Sequence, residues 1–303
     1  GHCEPLKIDT LEEWLCQFFG IGNLAIAPLT LKADGVQPED FYWLRADPVG
    51  ISLQREQMIL QADLALSAEE AALLCASLNA HFAVDGLRFV APHPQRWYLQ
   101  LGRAPDMQTY PLPQVVGVDM HAHFPHGTDA LRWHSVLNEI QMLFYEHKVN
   151  QAREQRGEPV VSAVWLWGGG RPGRDLLQPY ACVAGDSELA SAFAQAAGIP
   201  VVQSAGQMVD DAESADCLLV WEGLRDALQK ADIARWRSSL QQLEKNFFLP
   251  LLAALADGKV AQITIDALSE GASRRFVLSR ASLWKLWRRP VPLLRYALPQ
   301  DTP

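Results

Sequence analysis

Asn138-Glu-Ile-Gln-Met142, His147-Lys-Val-Asn150-Gln-Ala-Arg153-Glu and Val164-Trp165-Leu-Trp167-Gly168-Gly169-Gly170 follow one another in the stretch that decides the fold. Trp133, Val136, Leu137, Ile140 and Phe144 recur at helical spacing and predict an amphipathic helix over about 129–147. A polar helix follows, ended by Gly157 and Pro159, and the β-rich run 160–167 predicts a strand. Gly168, Gly169 and Gly170 then read as a loop whose bare backbone allows close approach. Asn150 and Arg153 lie one turn apart, so an amide and a guanidinium can face one anion. Arg153 with Arg45 would suffice to hold a phosphoester without a metal. The alternative is that Arg153 pairs with Glu154, Glu158 or a carbonyl and only fastens its helix. Trp165 and Trp167 share one side of the strand and read as core.

Working outward, strands are expected at 199–202, 217–221 and 261–266, with helices at 187–197 and 233–256 between them. Strands alternating with helices predict a mostly parallel sheet covered on both faces. Toward the N-terminus the style differs. A helix is expected over 9–19, a strand over 24–31, and a short strand at Phe41–Leu44 that stops at Arg45-Ala-Asp47-Pro48, where proline forbids helical continuation. Ser67-Ala-Glu-Glu70 is a capping box for a helix to about residue 82, followed by strands at Leu87–Val90 and Trp97–Leu101. Residues 39–115 therefore read as a small inserted α+β domain, and 1–38 with 116–303 as an α/β core.

Composition excludes several classes. The 303 residues are 49% hydrophobic and 20% charged, an ordinary globular balance. A formal charge of -9 opposes general nucleic-acid binding, which depends on Lys and Arg displacing counterions. One exception is the tail, where Arg274, Arg275, Arg280, Lys285, Arg288, Arg289 and Arg295 interleave with Trp284 and Trp287. It reads as a solvated basic helix face or as a surface for a protein partner. Five dispersed cysteines form no C-x-x-C and imply reduced thiols in the cytoplasm. The longest apolar run, Phe247–Ala256, contains a proline and falls short of the ~20 residues that span a bilayer, so no membrane segment is expected. Gly1 reads as an expression scar.

Two metal or nucleotide motifs need weighing. His121-x-His123-x-x-His126 would place two imidazoles on one side of a strand, a weak candidate metal site, but Pro125 and Gly127 favour a loop. Gly168-x-Gly170-x-x-Gly173 matches the dinucleotide fingerprint, yet Pro172 and the short run before Pro179 leave little room for the helix that must hold the pyrophosphate.

Arg45-Ala-Asp47-Pro48, Asn138-Glu-Ile-Gln-Met142, Asn150-x-x-Arg153 and Trp165-x-Trp167-Gly-Gly-Gly170 together resemble the cofactor-independent phosphoglycerate mutase-like family, in particular a bacterial branch of RpfE-type regulatory proteins. Lys148 and Ser162 stand where that pattern has Pro and Asn. The resemblance implies an alkaline-phosphatase-like α/β core with an inserted domain. It also implies a ligand-binding block comprising Arg45, Asp47, Asn150, Arg153, Gly168, Gly169 and Gly170. Active relatives use a Ser or Thr nucleophile and two divalent metals such as manganese, held by Asp and His, largely in the C-terminal half. This chain has no histidine after His147, and Glu222-Gly-Leu-Arg225-Asp226 and Asp266-Ala267 occupy the places of two metal elements.

The expectation is thus a degenerate, non-catalytic pseudoenzyme without a cofactor, binding a phosphorylated small molecule or a protein partner. One alternative is an active mutase or phosphomonoesterase with two metals on substitute ligands from Asp210, Asp211, Asp226, Asp266 and the His121–His126 cluster. The other is a purely structural or interaction protein.

Overall fold

The computed structural model describes residues 2–22, 25–54, 57–173, 176–202, 208, 216–229, 232–269 and 271–284. The described strands are β1 (His2–Pro5), β2 (Tyr42–Gln54), β3 (Gln57–Gln61), β4 (Arg88–His93), β5 (Arg96–Leu101), β6 (Ala163–Gly170), β7 (Cys182–Gly185), β8 (Val201–Val202), β9 (Cys217–Val220), β10 (Gln262–Ala267) and β11 (Arg274–Ser279). The principal helices are α1 (Leu11–Phe18), α2 (Ala27–Ala33), α3 (Ala68–His81), α4 (Ala130–Tyr145), α5 (Lys148–Arg156), α6 (Glu188–Ala197), α7 (Ile233–Leu243) and α8 (Leu249–Asp257). The chain divides into two compact units, Gly1–Ile21 with Asp175–Pro303, and Gly22–Arg174. Both expected domain boundaries, near 38 and 116, fall inside the second unit, because β6 pairs with β2 and draws the segment after 116 into the same sheet.

In the Gly22–Arg174 unit the described strands pair antiparallel with one another: β3-β2-β5-β4, with β6 on the other edge of β2; Leu60 of β3 also makes an isolated parallel bridge to Val116. Alternation divides the sheet into two faces. Leu44, Ala46, Trp97, Leu99, Val164 and Leu166 pack with Leu74, Leu78, Trp133, Ile140 and Phe144 of α3 and α4. Trp43 and Tyr98 face the other way and meet Ala27 and Leu31 of α2. Ser67 caps α3 by accepting from Glu70 N at 3.1 Å while Glu70 accepts from Ser67 N, the reciprocal box that the sequence predicts. Gly157, at φ 71°, ends α5.

Three local expectations fail for identifiable reasons. The run expected as a strand over 24–31 forms α2, where Pro28 sits in the first turn and loses no helical hydrogen bond. Pro48 does not stop β2. It lies where that edge passes from β5 (Arg45 opposite Tyr98) to β3 (Gly50 opposite Gln61), a stretch unpaired on that side. Gly168, Gly169 and Gly170 are strand rather than loop. A Cβ on Gly170 would lie 2.9 Å from Ala25 Cα, and one on Gly169 2.7 Å from Leu44 Cδ2. Glycine here admits neighbouring chain, not a nucleotide.

The Gly1–Ile21 with Asp175–Pro303 unit holds a short parallel sheet, β8-β7-β9, and an antiparallel one, β1-β11-β10. The expected strands at 199–202 and 217–221 do run parallel, but only with β7, and strand 261–266 pairs antiparallel with β11. The fold is mixed α/β with mostly antiparallel sheets. The mostly parallel sheet is corrected because β6 joins β2, not its successors. No described helix is long and apolar enough to cross a membrane.

Gly170→Ala should cost about 1–3 kcal/mol, since the new methyl meets backbone that cannot rotate away. Urea unfolding of the variant measures this, and an unchanged midpoint would show that the Ala25 segment yields freely.

Candidate functional site

The alternation of β2 puts Arg45 and Asp47 on the α2 face, where burial forces each to find a partner. Arg45 Nε and Nη2 both donate to Asp47 Oδ1, at 3.0 and 2.8 Å, and Trp167 Nε1 donates to Asp47 Oδ2 at 2.7 Å. Arg45 also lies over the Trp167 and Tyr98 rings, at 5.1 and 5.3 Å. Thr30 of α2 accepts from Arg45 Nη1 at 3.5 Å. Burial pushes the Asp47 carboxyl up, opposed by Arg45 and Trp167. Burial also works against the Arg45 cation, but facing Asp47 raises its pKa. Each side chain is thus the other's principal polar partner.

Beside it, Arg96 donates Nη2 to Asp34 Oδ1 at 2.6 Å, and Tyr98 donates its hydroxyl to Asp34 Oδ2 at 2.6 Å. Burial raises the Asp34 carboxyl, but the hydrogen bonds from Arg96 and Tyr98 outweigh it and hold it below the usual range. Sequence reading missed Asp34, Arg96 and Tyr98. The alternation of Arg96 and Tyr98 on β5 was a signal that they share a face; Asp34 carried none.

Asn150 and Arg153 form a separate cluster that shares no hydrogen bond with Arg45 or Asp47. Asn150 Nδ2 donates to Phe144 O and Val161 O, both at 2.8 Å, and its Oδ1 accepts from Val161 N at 2.9 Å. Its side chain fastens the turn between α4 and α5 to the approach of β6. Arg153, only 1% exposed, donates Nε to Pro159 O at 2.7 Å, Nη1 to Glu70 at 2.7 Å and Nη2 to Leu64 O. Glu158 lies 3.4 Å away. A ligand at either residue would have to break these bonds. Of the expected block, the structure brings together Arg45, Asp47 and the Gly168–Gly170 strand, and keeps Asn150 and Arg153 apart from them.

His121 and His123 lie on a 3-10 turn, Met120–His123, instead of alternating along a strand. Asp119 Oδ1 lies 2.9 Å from His121 Nδ1, the Asp119 carbonyl 3.2 Å from His123 Nδ1, and Gln108 Oε1 2.8 Å from His126 Nε2. Among the described residues no group of three or more His, Cys, Asp or Glu side chains is placed to hold a metal. Asp210 and Asp211 lie outside the described residues, as does the Asp226 side chain.

In the other unit β7 lies between β8 and β9, parallel to both, and the residues after β7 and β9 meet: Glu222 N donates to Asp186 Oδ1 at 2.6 Å. The carboxyl ends of parallel strands are where open α/β sheets usually place functional residues. Asp186, Ser187 and Glu222 stand there. Ser187 caps α6 and donates to Glu222 Oε1 at 2.5 Å; Arg225 donates to Glu222 Oε2 at 2.8 Å and approaches Glu12 at 3.6 Å. Burial raises the Glu12 carboxyl, opposed by Arg225 and reinforced by Glu222. At the end of β10, Asp266 accepts from Trp14 Nε1 at 2.7 Å and from Arg275 Nε and Nη2 at 2.8 and 2.7 Å. Arg274 and Arg275 thus belong to β11, not a solvated helix face; Arg280 opens a short helix, Arg280–Leu283, Trp284 after it is exposed, and residues from Lys285 on lie outside the described residues. Glu222-x-x-Arg225 was a visible i,i+3 pair; Glu12 was hidden inside an amphipathic helix.

No family model matches the chain. Over 199 residues, 59% of its length, it is 24% identical to 2,3-bisphosphoglycerate-independent phosphoglycerate mutase 2 of Methanothermobacter thermautotrophicus. It is similar to a phosphoglycerate mutase over part of its length. The match spans about half (47%) of that relative. Among solved structures, it aligns with the cofactor-independent phosphoglycerate mutase of Thermoplasma acidophilum at 13% identity and TM-score 0.37, covering 91% of this chain and 78% of that one. The PH0037 protein of Pyrococcus horikoshii aligns at 12% identity and TM-score 0.47, covering 91% and 75%.

Two outcomes follow. Arg153→Ala should destabilise the protein by about 2–4 kcal/mol in urea, because it removes the donor to the Pro159 and Leu64 carbonyls while Glu70 keeps Arg156 and Ser67 N, and Lys should not rescue it. Loss below about 0.5 kcal/mol would contradict this fastening role. Asp34, whose folded pKa is depressed, contributes stability that is present above its unfolded pKa and lost as pH falls through the folded value. Asp34→Asn should therefore flatten the drop in melting temperature between about pH 4 and pH 2. An identical drop in both proteins would assign acid lability elsewhere.

Proposed function

We propose that this chain is a phosphoglycerate-mutase-like protein without mutase chemistry, a bacterial cytoplasmic pseudoenzyme that binds a phosphorylated small molecule in a regulatory role. The RpfE-type branch and the alkaline-phosphatase-like ancestry of its core belong to this proposal. The observation that carries it is the state of the carboxylates at the strand ends. Two-metal phosphoryl transfer requires open carboxylates and imidazoles around two cations. Glu222 and Asp266 are each closed by an arginine, and Asp266 also by an indole. A divalent ion would have to displace a guanidinium already bonded to its prospective ligand, so these residues do not fit the two metals. No step of catalysis is derived through them.

The protein partner envisaged at the Trp/Arg tail belongs to the same proposal. Its regulatory role would need a ligand-dependent change in that contact.

The test is to incubate the purified protein with 3-phosphoglycerate, with and without manganese, while following both binding by calorimetry and interconversion to 2-phosphoglycerate by NMR. Binding without interconversion in either condition is expected. Turnover that depends on manganese would restore the active-mutase reading, and absence of both binding and turnover would favour an interaction protein.

A further inference from the structure

A cleft of about 350 Å³ opens in the Gly22–Arg174 unit between the end of the β4–β5 hairpin and the first turn of α4. Its floor is apolar: Leu87, Leu101 and Trp133 line it and are buried. Arg103 and Arg132 stand at its edge with the carboxylates of Asp85 and Asp129.

These two arginines differ from those that hold the clusters described above. Arg45, Arg96, Arg153, Arg156, Arg171, Arg225 and Arg275 all donate to carboxylates or carbonyls of the chain. Among the described residues Arg103 and Arg132 have no hydrogen bond or ion pair; Arg132 only lies 5.9 Å from the Trp133 ring centroid. Neither meets the nearby acids. Asp129 Oδ2 is taken by Asp106 N at 2.9 Å, and the Asp85 carboxylate has no partner among the described residues. A guanidinium left unpaired beside an apolar floor keeps its full capacity for a planar anion.

We infer that this cleft is a binding site for a small phosphomonoester bearing hydroxyl groups, with Arg103 and Arg132 on the phosphate and Asp85 accepting from a hydroxyl. Two cations match the nearly doubly negative phosphomonoester, and charge-assisted Arg–phosphate bonds fix its orientation. Asp85 selects against a bare anion, which it repels, and for a ligand that offers it a donor. The apolar floor accommodates a short carbon chain, as small-molecule sites commonly do. This inference rests on the reading of the protein as a binder of phosphorylated small molecules, but places the ligand away from Arg45 and Arg153.

Calorimetry with glycerol 3-phosphate, inorganic phosphate and glycerol tests it on the whole chain. Wild type should bind glycerol 3-phosphate. The double variant Arg103→Gln/Arg132→Gln should weaken that binding at least tenfold with an unchanged melting temperature, since both side chains are exposed. Asp85→Asn should weaken glycerol 3-phosphate but not inorganic phosphate. Wild-type binding that survives the double variant would overturn the site while leaving the proposed function intact. Failure of wild type to bind either phosphate compound would overturn the site, and the binding of 3-phosphoglycerate measured separately decides the wider reading.

Discussion

Asp47 is a buried carboxyl in the sheet of the Gly22–Arg174 unit, and burial, which pushes its pKa up, leaves its oxygens dependent on partners supplied by the chain. Arg45 donates to it from the same strand, and Trp167 reaches it from β6. Thr30 brings α2 against the pair. A buried ion pair adds little net stability when complete and costs several kcal/mol when one partner is removed. Its role is therefore to specify register. Sliding β6 by one residue would turn Trp167 to the α3–α4 face and leave Asp47 Oδ2 bare. The same logic explains why Asp34, Arg96 and Tyr98 form a second closed set beside it.

Helix ends were the most legible part of the sequence, because caps act over three or four residues. Ser67–Glu70 and Gly157 needed no distant partner to be recognised. Strand pairing was less legible. The β/α alternation after residue 160 predicted parallel neighbours, and β7, β8 and β9 comply, but β6 crosses to β2, more than a hundred residues earlier. Nothing local in Val164-Trp-Leu-Trp167 announces an antiparallel partner. For the same reason Pro48 looked like a terminator: its tolerance depends on a gap between β5 and β3 that only the assembled sheet provides.

The site was legible in residue type and obscured in role. Arg153 could be read either as an anion ligand or as a fastener to Glu158 and a carbonyl, and its own helix offered both. The partners that commit it, Glu70 and Leu64, lie 83 and 89 residues away. The glycine run likewise marked close approach correctly, but what approaches is Ala25 and Leu44. In both cases the chain itself occupies the place where the sequence suggested a ligand.

In both units, then, arginines hold the carboxyl groups of the clusters described: Asp47, Asp34 and Glu70 in one, Glu222 and Asp266 in the other. That is the physical core of the claim that mutase-type metal chemistry is absent. The most direct measurement is metal stoichiometry by mass spectrometry after incubation with excess manganese and gel filtration. No retained ion is predicted, because Arg225 and Arg275 already hold Glu222 and Asp266. Two tightly held ions per chain would contradict the account and show that these guanidiniums give way to a catalytic centre.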